Sequence, residues 1–146
     1  MEHAFVGTGV AFKLEFDPRG ALLVVAGAEV IERSIALIVG TAPGERPMRP
    51  EFGCGVHDLI LGGTDATSLG RIAHEVRRAI RRWEPRVTVE DVTLEPDPSD
   101  PSLVSVVITY VIKDTNDARN LVFPFYFIPA EGPSEFAPAS LMVPTR

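Results

Sequence analysis

Four carboxylates are the first residues to weigh for chemistry: Glu45, Glu51, Asp58 and Glu84 stand in or beside two stiff, charge-rich segments. One segment runs Gly44-Glu-Arg-Pro-Met-Arg-Pro-Glu-Phe-Gly-Cys-Gly-Val-His-Asp58, and the other is Trp83-Glu-Pro-Arg86. Glycoside hydrolysis needs two carboxyl groups, one of which keeps its proton near neutral pH by sitting in an apolar pocket. Glu45 and Glu84 instead lie close to arginines in the chain, and a neighbouring guanidinium favours the ionised form. Structural pairing is the expectation for these acids, and no catalytic residue is assigned.

Other reactive residues are sparse. Cys54 and His57 lie three apart and His74 falls further on, so a thiol–imidazole pair or a metal site can be written down. One cysteine with three histidines matches no zinc spacing, and Cys54 between Gly53 and Gly55 reads as a small residue in a tight place. Neither a metal nor a cofactor is expected. The glycine pairs Gly7/Gly9 and Gly53/Gly55 are too short for nucleotide loops. A lone cysteine also excludes an intrachain disulfide and points to a reducing compartment, and the acidic start at Glu2 lacks the basic region of a signal peptide, so the product is expected to be cytoplasmic when made.

Arg71, Arg77, Arg78, Arg81, Arg82 and Arg86 crowd one window of an otherwise acidic chain of net charge −6. That total opposes binding to nucleic acid or an anionic membrane, and the window shows no aromatic free to stack on bases. A solvated helix face is the plain reading. An acidic protein partner accounts for the arginines equally well, because guanidinium forks suit carboxylates.

The elements that must hold these residues follow from periodicity. With 146 residues the chain fits one domain with a core of its own, and no apolar run is long enough to span a membrane as a helix. Gly9 to Phe16 alternates, turns at Asp17-Pro-Arg-Gly20 and resumes over Ala21 to Val25, which predicts a short hairpin or arm. Ile31, Ile35 and Ile38 mark a helix over 28–39, and Leu69, Ile72, Val76, Ile80 and Trp83 a longer one capped by Thr64, Asp65 or Thr67. A brief helical turn is expected over 56–61. Three strands follow at 87–94, 103–112 and 121–128, joined by turn-like links and therefore antiparallel neighbours. Pro124 in the last of them places that strand at an edge or a bulge. The expected fold is α+β: a single small domain over 1–146, its core about 7–128, with helices packed on a small, mainly antiparallel sheet that has one edge open to strand addition. Residues 129–146, with Pro133, Pro138 and Pro144, read as an extended tail.

Taken together, Gly9-Val-Ala-Phe12, the Asp17 to Gly20 turn, the helix leading to Gly44-Glu-Arg-Pro-Met-Arg-Pro-Glu-Phe-Gly53, and Trp83-Glu-Pro-Arg86 before the strands resemble the baseplate wedge family of contractile phage tails. That family also carries the labels GPW and lysozyme-like, and has relatives in type VI secretion and extracellular contractile injection particles. The resemblance covers about residues 7–128. It implies assembly rather than turnover: a non-enzymatic baseplate component, six copies per particle, that joins the wedge core to the first sheath ring and starts sheath assembly by strand addition. The implied partners are the tail sheath protein and baseplate wedge proteins, with central spike or hub proteins as a further candidate. Carried over, Glu84, Pro85 and Arg86 would contact the wedge, and Leu121, Val122, Phe123, Phe125, Tyr126, Phe127 and Ile128 would lie in the sheet that receives sheath strands. Glu45, Arg46, Pro47, Arg49, Pro50, Phe52 and Gly53 would form a structural loop. Lys13 departs from the proline of many relatives, and the Ala130 to Arg146 tail extends beyond the match. The competing reading is a peptidoglycan-cleaving glycosidase, a tail lysozyme.

Overall fold

The computed structural model describes residues 7–10, 14–60, 65–100 and 102–127. Gly62, Gly63, Thr64, Ile128 and the C-terminal tail lie outside the described residues. The elements are β1 (Thr8–Val10), β2 (Val24–Ala26), α1 (Ala28–Gly40), α2 (Val56–Leu59), α3 (Ala66–Trp83), β3 (Val87–Pro96), β4 (Leu103–Ile112) and β5 (Asp117–Tyr126). The predicted α+β domain is thus observed, with its helices in the first part of the chain and its main sheet in the last.

The N-terminal strands pair antiparallel, and beyond them Phe16 bridges Leu22. Asp17 makes the intervening turn by accepting from the backbone of Arg19 and Ala21, while Gly20 takes φ +80, which favours glycine. The resulting ribbon leaves Leu14, Phe16, Leu22 and Leu23 substantially exposed.

The two longer helices bury the predicted stripes. In α1 these are Ile31, Ile35 and Ile38 with Val39, and in α3 they are Ile72, Val76, Ala79 and Ile80. Asp65 is the cap of α3, its carboxylate accepting from the backbone of Thr67 and Ser68 and from the Ser68 hydroxyl. Pro85 then prevents continuation of the helix.

β3, β4 and β5 form one antiparallel sheet with β4 in the centre. Every second residue of β4 is buried, from Val104 through Tyr110 to Ile112. Opposite it, β3 buries Val87 and Val89 and then Val92, because a bulge between Val89 and Asp91 resets the alternation. Without that extra residue Asp91 would face the core. With it, Asp91 stays outside and pairs with Arg77 of α3.

The last strand differs from its predicted bounds. It starts at Asp117, inside a stretch expected to be turn, because Asn116 adopts φ 51 and closes the link over 113–116. Asp117 to Asn120 are weak strand formers whose conformation is dictated by pairing with Thr109 to Ile112. Arg119 adds a clamp, bridging Asp117 and Glu32 of α1.

Candidate functional site

The two motifs singled out in the sequence meet in space. The loop after α1 is stapled at several points: the Glu45 carboxylate accepts from the Ala42 backbone at 2.9 Å, Gly44 donates to Pro50, and Phe52 donates to Arg49. Gly53 is indispensable to the closure. Its φ is +116, and a Cβ there would stand 2.2 Å from the Thr41 carbonyl oxygen, to which Cys54 donates. Phe52 lands against Trp83 with ring centroids 5.1 Å apart, and the Arg46 guanidinium lies 4.3 Å over the Phe52 ring. The structural loop is thereby fixed to the end of α3, beside Glu84.

Glu84 is inside the protein, only 2% exposed, whereas Pro85 is exposed and the Arg86 side chain is one-third exposed. Arg86 donates to both carboxylate oxygens of Glu84 at 2.6 Å, a planar fork, and Ser34 of α1 donates as well. Burial alone would raise the Glu84 pKa, but the hydrogen bonds from Arg86 and Ser34 and the Arg86 charge outweigh it and hold the group below its ordinary value. The main chain of this turn is tied to the sheet as well. Lys113 donates its backbone N–H to the Arg86 carbonyl and its ammonium to the Pro85 carbonyl.

These contacts engage two of the four suspected carboxylates, whereas Glu51 and Asp58 line surface grooves. Glu45 holds a turn, and Glu84 is ionised and consumed by Arg86. Cys54 is 1% exposed, and burial, partly offset by the Val56 backbone, pushes its thiol up to about 11. It is a packing residue with too little thiolate to act as a nucleophile. His57 turns its ring edge toward Phe125, with centroids 6.4 Å apart. Among the described residues no cluster of histidine, cysteine and carboxylate groups could hold a metal.

One edge strand of the main sheet is β5. Phe127 donates to the Ser102 carbonyl at 2.6 Å, and the register pairs Leu103 with Tyr126, Val104 with Phe125 and Ser105 with Pro124. Bonded and non-bonded pairs alternate along an antiparallel ladder, so Arg119, Leu121, Phe123 and Phe125 spend their backbone groups on β4. Ala118, Asn120, Val122, Pro124 and Tyr126 point theirs outward. Pro124 therefore costs the sheet no internal bond, and the outer edge has a missing donor there. On the helix side Leu121, Phe123 and Phe125 are only partly buried, and on the other face Val122 is 55% and Tyr126 64% exposed. The β3 edge is of another kind: bulged, and lined by exposed Thr88, Glu90, Asp91, Thr93 and Glu95.

Among the described residues the chain is a small α+β domain with an internally braced, charged clasp and a partly exposed apolar edge strand, features suited to a protein that docks onto others. The comparisons with known proteins agree. Residues 25–117 match the family described as baseplate wedge protein gp25, and the chain belongs to that family, whose members are components of contractile tail baseplates. It is 27% identical over 95 residues to baseplate wedge protein gp25 of Enterobacteria phage T4, covering 65% of this chain and 72% of that one. A putative tail lysozyme from Geobacter sulfurreducens shares the fold at TM-score 0.68 and 42% identity, covering 74% of this chain and 98% of that one. A chain of the anti-feeding prophage baseplate does so at TM-score 0.65 and 28% identity, covering 88% and 92%.

The family match leaves out the exposed N-terminal ribbon up to Val24. The sequence reading missed the Phe52–Trp83 contact and the inward orientation of Glu84. The aromatic residue at the end of each motif was the available signal for the first, since a large ring in a charged loop needs a surface to cover.

Proposed function

We propose that this subunit joins the wedge core of a contractile baseplate to the first sheath ring and starts sheath assembly by accepting foreign strands on β5. The carrying observation is the contrast between the two sheet edges. β3 is bulged and acidic, both devices that discourage pairing, whereas β5 keeps an unbulged register, is interrupted as a pairing edge only at Pro124, and is flanked by half-covered Leu121, Phe123 and Phe125. An added strand gains main-chain hydrogen bonds from Ala118, Asn120 and Val122 and covers those side chains from the open side. Each such bond contributes only about 1 kcal/mol net, so a firm joint draws on apolar burial and on repetition around the six copies expected in a baseplate. At the other end, Pro85 and the outer surface of Arg86 contact the wedge, while Glu84 braces them from within. The subunit works without catalysis, as an integral part of an assembled particle, with wedge and sheath proteins as its neighbours.

Val122→Pro tests the strand-addition step. It removes an outward donor on β5 and leaves the bonds to β4 in place. The variant should fold and enter baseplates, yet those baseplates should fail to grow sheath. Full-length sheaths on variant baseplates would refute the proposal.

The lysozyme alternative draws support from the neighbour described as a putative tail lysozyme. It predicts clearing of purified peptidoglycan that Glu51→Gln abolishes. The engagement of Glu45 and Glu84 favours the structural role.

A further inference from the structure

The arginines of α3 are concentrated on its exposed side, which adjoins the clasp loop where Arg78 and Arg82 line a groove with Glu51, Gly53 and Trp83. Arg71, His74, Arg78, Arg81 and Arg82 are all exposed, and a groove of about 400 Å³ is lined wholly by His74, Arg77, Arg78, Arg81 and Arg82. A second groove, about 590 Å³, continues it between α3 and α2 past Gly70 and Gly55, where Arg71, His74 and Arg78 face the carboxylates Asp58 and Glu75, the latter already paired with Arg78. Gly70 has nothing within 4 Å of where a Cβ would be, so the floor of this groove is open backbone.

The charge on this face is only partly compensated by the protein itself. Arg77 pairs with Asp91 and Arg78 with Glu75, and Arg82 lies over the Trp83 ring. Arg71 and Arg81 have no ion-pair partner among the described residues. Moreover, Arg77/Arg81 and Arg78/Arg82 are like-charge neighbours four apart, an arrangement that weakens a helix in isolation. A purely solvated face is normally built with acids interleaved. The surplus is the more notable in a chain of net charge −6.

From this face we infer that α3 is a second protein-docking surface, which receives an acidic segment of a neighbouring baseplate protein into the grooves along Arg71, Arg78, Arg81 and Arg82. The dimensions favour a short polypeptide over a nucleic acid. From Arg71 to Arg82 the stripe runs about 17 Å, three turns of helix, and a longer polyanion would pass onto the acidic remainder of the chain. The stripe also offers no aromatic face for a base, since Trp83 is covered by Phe52 and Arg82. Guanidinium forks in a groove suit spaced Asp and Glu side chains, which bind bidentately and fix register. This inference rests on the wedge role but is independent of strand addition at β5.

The test uses the full chain in assembling baseplates. Arg71→Glu with Arg81→Glu should keep the unfolding midpoint of the parent and reduce incorporation at least tenfold at low salt, with Arg71→Gln/Arg81→Gln falling between. A benzoyl-phenylalanine crosslinker in place of Arg81, mapped by mass spectrometry in particles, should join an Asp- and Glu-rich segment of another baseplate protein. Unchanged incorporation of the double Glu variant would overturn the inference, as would a crosslink to nucleic acid or to a segment without acidic residues. Sheath growth on Val122→Pro baseplates reads the other proposal separately, because it is scored after the subunit has been incorporated.

Discussion

The clasp around Glu84 and the margin at β5 solve opposite problems. In the clasp every strong group is spent internally: the Glu84 carboxylate on Arg86 and Ser34, the Pro85 and Arg86 carbonyls on Lys113, the Phe52 ring on Trp83. At β5 alternate backbone groups have no partner strand among the described residues, and Leu121, Phe123 and Phe125 are only partly buried. A charged segment can thus be rigid and inward-looking, while an apolar strand in the same small domain is the part left incomplete. Charge in the sequence marked where the protein is braced, and the partly covered apolar side chains lie on the edge strand instead.

Removing Glu84 should break the closed side most severely. Glu84→Ala removes the buried carboxylate that Arg86 and Ser34 both engage, and the loss of one member of such a pair is expected to cost about 3 kcal/mol in a urea unfolding measurement. The same group sets an acid limit. Its folded pKa is depressed below the ordinary 4.5, so its contribution is fully present above that value and is lost as pH falls through the folded pKa. A parent protein losing stability below about pH 4.5 no more steeply than Glu84→Gln would show that the pair carries little.

Gly53→Ala comes next. A left-handed φ and a clash with the Thr41 carbonyl together should cost about 2–3 kcal/mol, read as a lower denaturant midpoint. An alanine variant of parental stability would mean that the loop is less tightly closed than its geometry indicates. Phe52→Ala should then cost about 2 kcal/mol, since it removes a half-buried ring and its contact with Trp83 while leaving the loop backbone bonds in place.

The smallest effect on folding, and the sharpest on the comparison, is expected from Pro124→Val. The proline nitrogen faces outward, so valine restores one outer-edge donor without altering any bond to β4, and stability should change by less than about 0.5 kcal/mol. Self-association should rise, measurable by light scattering at increasing concentration, because an uninterrupted apolar edge pairs readily with its own kind. A variant that stays as monomeric as its parent would remove Pro124 as a guard of that edge.

Legibility along the chain followed the range of the interactions. The stripes of α1 and α3, the Asp65 cap and the bounds of β4 could be read because periodicity and capping are local and each residue's own chemistry states its preference. The early start of β5 could not, because Asp117 to Asn120 have little strand preference and take their conformation from β4 and from the Arg119 bridge to α1. The candidate site divides in the same way. Sequence located both charged motifs and placed the proline strand at an edge or a bulge, of which the structure shows the edge.

By itself, then, the sequence determined the two long helices, the stiff loop and the body of each sheet strand, since steric limits on proline and glycine and the spacing of apolar residues act within a few positions. Only the tertiary structure decided that Glu84 faces inward, that Phe52 closes on Trp83, and that β5 keeps an unbulged register with β4 while β3 does not. Those outcomes depend on which distant groups arrive to neutralise a charge, cover a ring or leave a ladder unfilled, and no local preference carries that information.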